Sequence, residues 1–184
     1  MYGEGLKHST GLQNTLFVPP CPEAPPRGGA FVLPALRGAP ARDCLLTMPD
    51  VTVVRRLRFN AAHRVHNPAL SEEENAQLFG KCNNPNWHGH NYTLDVHVTG
   101  PVDSRTGYVI DLGVLRDTVE RLVINEADHR NFNIDVPFMH GVIPTTENLV
   151  VQMWRLLEPQ VAPGRLSRLR LWETENNYVE YEGR

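Results

Sequence analysis

Even-numbered positions from Tyr92 to Val98 are apolar (Tyr92, Leu94, Val96, Val98), while the odd positions Asn91, Thr93, Asp95, His97 and Thr99 are polar. Alternation with period two marks a strand with one buried face and one wet face. The pattern therefore predicts a strand over about 88–99, and its apolar face, followed back toward the start, takes in His90 and His88. An earlier stretch, about 51–60, behaves alike: Val51, Val53, Leu57 and Phe59 share a parity, broken by Arg55, and the series leads on to His63. If the two strands pair, three imidazoles converge at one end of a buried face.

The connection between them, 65–87, contains a short helical turn over 71–78. Ser71 with Glu74 three residues on is a capping-box pattern, and Gly80 would stop the helix. After turn residues at Gly100-Pro101 and 103–107, Asp111 is a good N-cap. Leu112, Leu115, Val119, Leu122 and Val123 then recur at helical spacing. A loop through Asp128, His129, Pro137 and Gly141 leads to a second helix, capped by Thr145 or Thr146, whose stripe is Val150, Met153, Trp154 and Leu157. Strands over 166–174 and 178–182 end the sequence around a hairpin turn at Glu175-Asn176-Asn177. The order ββααββ predicts an α+β fold, a four-stranded antiparallel sheet packed on two helices. Such a sheet has open edges, and natural sheets pair or cover theirs, so the edges are expected to close by oligomerisation.

Composition changes this picture mainly at the start. The first fifty residues hold eight of the 15 prolines and six of the 14 glycines, with no sustained apolar period. Residues 1–49 read as a disordered tail and 50–184 as the folded domain, with Met48 an alternative start. No apolar run follows a basic beginning as in a signal peptide, and Glu4, Glu23 and Asp43 argue against a transit peptide. Cys21 and Cys44 fall in the tail, so Cys82 stands alone in the folded part, which fits a reducing cytoplasm. A net charge of -3 gives no electrostatic case for nucleic acid. No apolar run approaches the roughly 18 residues a membrane span needs. No glycine-rich dinucleotide or phosphate loop follows a strand, so a redox change in any substrate is internal to it or uses a cofactor the sequence does not reveal.

Three neutral imidazoles with an open fourth position are what a catalytic zinc needs, although His-x-His by itself is equally a pair of hydrogen-bonded core residues. Cys82 sits in Gly80-Lys81-Cys82-Asn83-Asn84-Pro85-Asn86, a loop leading straight to His88. It reads as a small apolar plug or as a nucleophilic thiolate favoured by Lys81 and a nearby cation. Asp128-His129 reads as a proton-transfer pair or as a helix cap. Glu173 shares the parity of Leu169 and Leu171, a carboxylate on an apolar face. It either snorkels at the sheet edge or reads a planar N–H edge through paired hydrogen bonds. Glu147 is a ligand contact or a favourable acid at a helix N-terminus.

Five stretches carry a resemblance: Phe59 to Arg64 (FNAAHR), Gly80 to Tyr92 (GKCNNPNWHGHNY), Asp128 to Asn131 (DHRN), Pro144 to Asn148 (PTTEN) and Trp172 to Thr174 (WET). In this order they make the sequence from about Val51 to Gly183 resemble the 6-pyruvoyl-tetrahydropterin synthase family, which extends to 6-carboxytetrahydropterin synthase. The resemblance implies the tunnelling fold, with three ββααββ subunits pairing their sheets into a barrel and two trimers stacked as a hexamer with sites at subunit borders. It implies that His63, His88 and His90 bind zinc, that Cys82 abstracts a proton, and that Asp128 and His129 relay it. Glu173 would anchor the pterin ring, with Thr146 and Glu147 nearby. The implied substrate is 7,8-dihydroneopterin triphosphate, converted to 6-pyruvoyl-tetrahydropterin with loss of triphosphate. The alternative is the 6-carboxy product with release of acetaldehyde, the reaction of queuosine biosynthesis. Lys81, Arg55, Arg56, Arg58 and Arg64 are candidates for the phosphates. Trp87 departs from the glycine of animal members.

Overall fold

In the computed structural model residues 48–184 are described, so the proline-rich stretch read as a tail lies almost wholly outside the described residues. Strand β1 is Asp50–His63 and β2 is His88–Pro101, paired antiparallel along their whole length. The ladder sets Leu57 opposite Leu94, Phe59 opposite Tyr92, Ala61 opposite His90 and His63 opposite His88. Each pair lies on one face because side chains alternate, and a one-residue slip would carry all of them to the other face. Gly89 marks how closely the strands approach: a Cβ there would stand 3.0 Å from the Ala61 backbone oxygen.

Helix α1, Glu72–Phe79, carries the expected capping box. The Ser71 hydroxyl accepts from the Glu74 N–H, and the Glu74 carboxylate accepts from the Ser71 N–H at 2.8 Å. Helix α2, Leu112–Val119, is capped by Asp111 and widens into a π-turn over Glu120–Ile124 before the short α3, Asn125–Ala127. Its buried residues are Leu115, Val119, Val123 and Ala127, each four from the last. Four-residue steps overshoot a turn of 3.6 residues, and the wide turn takes up the accumulated drift. Leu112, expected in that stripe, is exposed because it is the first residue after the cap. Helix α4, Thr146–Leu157, starts at the Thr145 cap and buries Val150, Met153, Trp154 and Leu157 as its spacing predicts.

Strands β4, Arg165–Trp172, and β5, Tyr178–Tyr181, complete the antiparallel part of the sheet. The expectation of four strands falls short by one. Arg130–Asn131 forms a two-residue strand β3 parallel to Ala61 and Ala62, giving the order β3-β1-β2-β4-β5. Two residues offer no alternation to read, so pattern reasoning could not find it. The even face of β2 meets the helices, and Leu94, Val96, Val98, Leu169 and Leu171 are buried with Val119, Val123, Leu149 and Met153. Among the described residues no helix is long and apolar enough to cross a membrane.

The opposite face is charged. Arg56 donates Nε and Nη2 to the two oxygens of Asp95 at 2.6 and 2.8 Å, a bidentate pair that commits this candidate phosphate ligand to the sheet. Hydrogen bonds from Arg56 hold the Asp95 carboxyl below its ordinary range. A carboxyl depressed by folding stabilises fully above its unfolded pKa of about 3.9, and that contribution is lost as pH falls through the lower folded value. Arg56→Ala is therefore expected to lower unfolding free energy near neutral pH by about 1.5–3 kcal/mol, the range for hydrogen bonds to a charged group. Urea titrations at pH 7 and pH 3 check this, with the gap between variant and wild type shrinking at pH 3.

Candidate metal centre and adjoining cavity

The ends of β1 and β2 bring His63, His88 and His90 together, with one candidate donor atom from each within 4.8 Å of the others. Their ring centroids are 4.4 to 5.1 Å apart. His63 Nδ1 lies 2.8 Å from the Pro144 carbonyl oxygen. A carbonyl only accepts, so Nδ1 carries the proton and Nε2 presents its lone pair to the cluster. Two buried nitrogens of the trio, His63 Nε2 and His88 Nδ1, have no hydrogen-bond partner. Burial lowers the His63 pKa, against the pull of the Pro144 carbonyl and with help from His88 and His90. Burial, followed by His90, lowers that of His88. Neutral imidazoles with unpaired lone pairs at one point fit a metal ion.

Glu173 follows directly on β4, and its Oε1 lies 3.6 Å from His63 Nε2 and 3.7 Å from His90 Nε2. The same oxygen accepts from the Thr146 hydroxyl at 2.9 Å. A carboxylate thus stands at the wall of the cluster, tied to the start of α4. Parity put Glu173 on the apolar face but gave no hint that it comes this close to the histidines. Glu147 is exposed in the first turn of α4.

Asp128 and His129 do face each other: His129 Nδ1 lies 2.9 Å from Asp128 Oδ2. Neighbours in sequence meet here because His129 takes a left-handed φ of 58°. Asn60 fixes the bend through its backbone. Its N–H donates to Asp128 Oδ1 at 2.9 Å and its carbonyl accepts from the His129 N–H at 2.7 Å. The Asn60 N–H, followed by His129, lowers the Asp128 pKa. A cavity of about 850 Å³ opens between this pair and the histidine cluster, walled among others by Arg58, Asn60, His90, Asp128, His129 and Glu173.

Cys82 is exposed in a 3₁₀ turn, Gly80–Asn83, and is not among the residues that wall this cavity. Its backbone is nevertheless fixed, since Val65 N–H donates to the Cys82 carbonyl at 2.9 Å. Arg64, a candidate for phosphate in the sequence, turns its guanidinium onto this loop instead. Nε donates to the Asn83 carbonyl at 2.9 Å and Nη2 to Glu72 at 3.0 Å. The Arg64 backbone exchanges two 2.9 Å hydrogen bonds with the Asn133 side chain. Arg64 therefore joins the Cys82 loop to the segment that follows His129. No spacing rule flags such a clamp, because its partners are 19 and 69 positions away.

The model of the family described as 6-pyruvoyl tetrahydropterin synthase matches residues 52–184. The chain belongs to this family. It is 45% identical over 131 residues to the human 6-pyruvoyl tetrahydrobiopterin synthase, covering 71% of this chain and 90% of that protein. The solved 6-pyruvoyl tetrahydropterin synthase of Caenorhabditis elegans superposes with a TM-score of 0.71 at 40% identity, over 75% of this chain and 99% of that one. A Rickettsia felis 6-carboxy-5,6,7,8-tetrahydropterin synthase is more distant, 24% identical over 148 residues that cover 71% of this chain and 99% of that protein.

The backbone sharpens the reading of one position. Trp87, immediately before the first histidine of β2, has a φ of 66°. This left-handed region suits glycine and costs another residue about 1–2 kcal/mol, which is the physical reason to expect glycine there. The 3.0 Å bond from the Trp87 N–H to the Asn84 carbonyl helps hold it. For the Arg64 clamp, Arg64→Ala is expected to speed amide exchange of Val65 and of residues 80–86 by about tenfold or more, while the β1–β2 ladder stays protected. Hydrogen exchange read by mass spectrometry decides; unchanged protection at 80–86 would show that the clamp holds nothing.

Proposed function

We propose that the protein is a zinc-dependent lyase that converts 7,8-dihydroneopterin triphosphate to 6-pyruvoyl-tetrahydropterin with loss of triphosphate. The observation that carries this reading is the three-histidine cluster with its unpaired nitrogens, open on one side to a cavity that also holds a carboxylate and an Asp–His pair. His63, His88 and His90 would hold the zinc, for which an all-imidazole set is well suited. When bound there it would supply Lewis acidity that makes a C–H beside a substrate hydroxyl more acidic.

The protein's own groups account for the rest. Glu173 accepts from Thr146 at Oε1, which keeps a second lone pair, so both its oxygens can take paired hydrogen bonds from the N–H edge of a pterin ring. Cys82, as thiolate, takes the proton from that carbon. His129, oriented by Asp128, moves a proton at the opposite wall. Enolisation expels triphosphate and shifts the reducing equivalents onto the ring, so no nicotinamide is required. Arg58, in the cavity wall, is available to meet phosphate where Arg56 and Arg64 are otherwise engaged.

In one subunit Cys82 does not reach the cavity wall that carries Asp128 and His129. Strand β5 and most of β1 lie at the borders of the sheet. Both features support an assembly in which adjoining copies complete each site, for which the family resemblance implies a hexamer of two trimers. The higher identity to pyruvoyl-forming relatives favours the 6-pyruvoyl product over the 6-carboxy one.

Incubation with dihydroneopterin triphosphate is expected to yield 6-pyruvoyl-tetrahydropterin and triphosphate. A 6-carboxy product with acetaldehyde would replace this assignment. Exhaustive treatment with a zinc chelator should abolish turnover and added zinc should restore it. Cys82→Ala is expected to keep metal content and melting temperature while turnover falls by about 10²–10⁴, the usual worth of a positioned proton acceptor. Retained turnover would remove Cys82 from the mechanism.

A further inference from the structure

We propose that the Tyr92 hydroxyl is a further binding group of this site, donating a hydrogen bond to an oxygen of the molecule that enters beside the three histidines. The identity of that molecule rests on the function proposed above, but the place of the Tyr92 ring beside the histidines does not. Tyr92 is only 1% exposed. Its ring is fixed by stacking on Phe59 at 5.1 Å and by the edge of Phe132 at 5.7 Å. On β2 it follows His88 and His90 on the same face, and its ring centroid lies 5.7 Å from that of His90 and 6.3 Å from that of His63. It also walls the cavity that holds His90 and Glu173.

The hydroxyl itself is buried and has no hydrogen-bond partner. Buried polar groups are overwhelmingly paired, and an unpaired one carries a desolvation penalty comparable to a lost hydrogen bond. Three such unpaired atoms, Tyr92 Oη, His63 Nε2 and His88 Nδ1, belong to rings grouped around His63, whose centroid lies 4.4 Å from that of His88 and 6.3 Å from that of Tyr92. A purely structural tyrosine here would be better replaced by phenylalanine, which packs alike without the penalty. Two occupants together would satisfy all three: a metal ion held by the nitrogens, and beside it an oxygen-bearing ligand that accepts from the phenol. The donor is a neutral O–H, so it requires no change of protonation to serve. An enolate or alkoxide-like oxygen, the kind that gains charge as a proton leaves the neighbouring carbon, is the acceptor it favours most.

The test is Tyr92→Phe in the full-length protein, with acetohydroxamate as an oxygen-donor probe and the visible spectrum of the cobalt(II)-substituted protein as the readout. The variant is expected to bind one cobalt per subunit as the wild type does, and its metal-free melting temperature should be equal or higher. Its acetohydroxamate affinity should fall by about threefold to tenfold, the worth of one hydrogen bond. In the zinc-loaded enzyme, kcat for dihydroneopterin triphosphate should fall more than KM rises. Equal acetohydroxamate affinity would overturn the assignment. So would a lower metal-free melting temperature, which would mean that the hydroxyl already has a partner within the protein. A wild type inactive on dihydroneopterin triphosphate, with the acetohydroxamate difference intact, would defeat the pterin reading and leave Tyr92 in its place.

Discussion

The register of the β1–β2 ladder is the constraint on which the site depends. Alternation along two paired strands is strict, so setting His63 opposite His88 places His90, Tyr92 and Phe59 on the same face in one step. The apolar half of that face, with Leu57, Leu94, Val96 and Val98, packs on the helices and locks the register. The polar half is carried along at the end of the ladder, where helix cover gives way to loops. Hydrophobic burial in the core thereby sets the geometry of a polar cluster that could not assemble by its own attractions.

The exit of β1 does the rest. From its backbone Asn60 holds Asp128 and His129, Ala62 accepts from the Phe132 N–H, and the His63 ring binds the Pro144 carbonyl. Arg64 then clamps Asn83 and Asn133, and Val65 binds the Cys82 carbonyl. Loops distant in sequence are thus referenced to one short rigid segment. Most of these bonds use backbone groups, which any residue supplies, so the scaffold is insensitive to side-chain identity while the groups it presents are not. Sites held on strand ends in this way keep their geometry better than sites built from loops alone.

The polar groups left unpaired by this scaffold show where it stops being self-sufficient. His63 Nε2, His88 Nδ1 and Tyr92 Oη are buried without partners on neighbouring rings, while nearby Glu173 is satisfied at one oxygen and Asp128 at both. Three open groups gathered beside one cavity mark a place arranged for an occupant rather than for stability.

Period-two alternation and helical spacing were enough to read four of the five strands, the helices α2 and α4, and the shared parity of the three histidines, because those patterns report which face of an element is buried, while α1 was legible from its capping box alone. The family motifs named Cys82, Asp128, His129, Thr146 and Glu173 as residues of interest. Other features were closed to pattern reasoning. Strand β3 is too short to alternate, and Arg56 and Arg64 looked like free cations until Asp95 and Asn83 were placed beside them. The approach of Glu173 to His63, the bend that turns Asp128 toward His129 and the unpaired Tyr92 hydroxyl depend on distances between segments far apart in sequence, or on a backbone angle. Local sequence determines which face of each element is apolar, because burial acts on every residue with the same period. Which polar groups meet, and which are left open, is decided only when the tertiary fold sets those faces against one another.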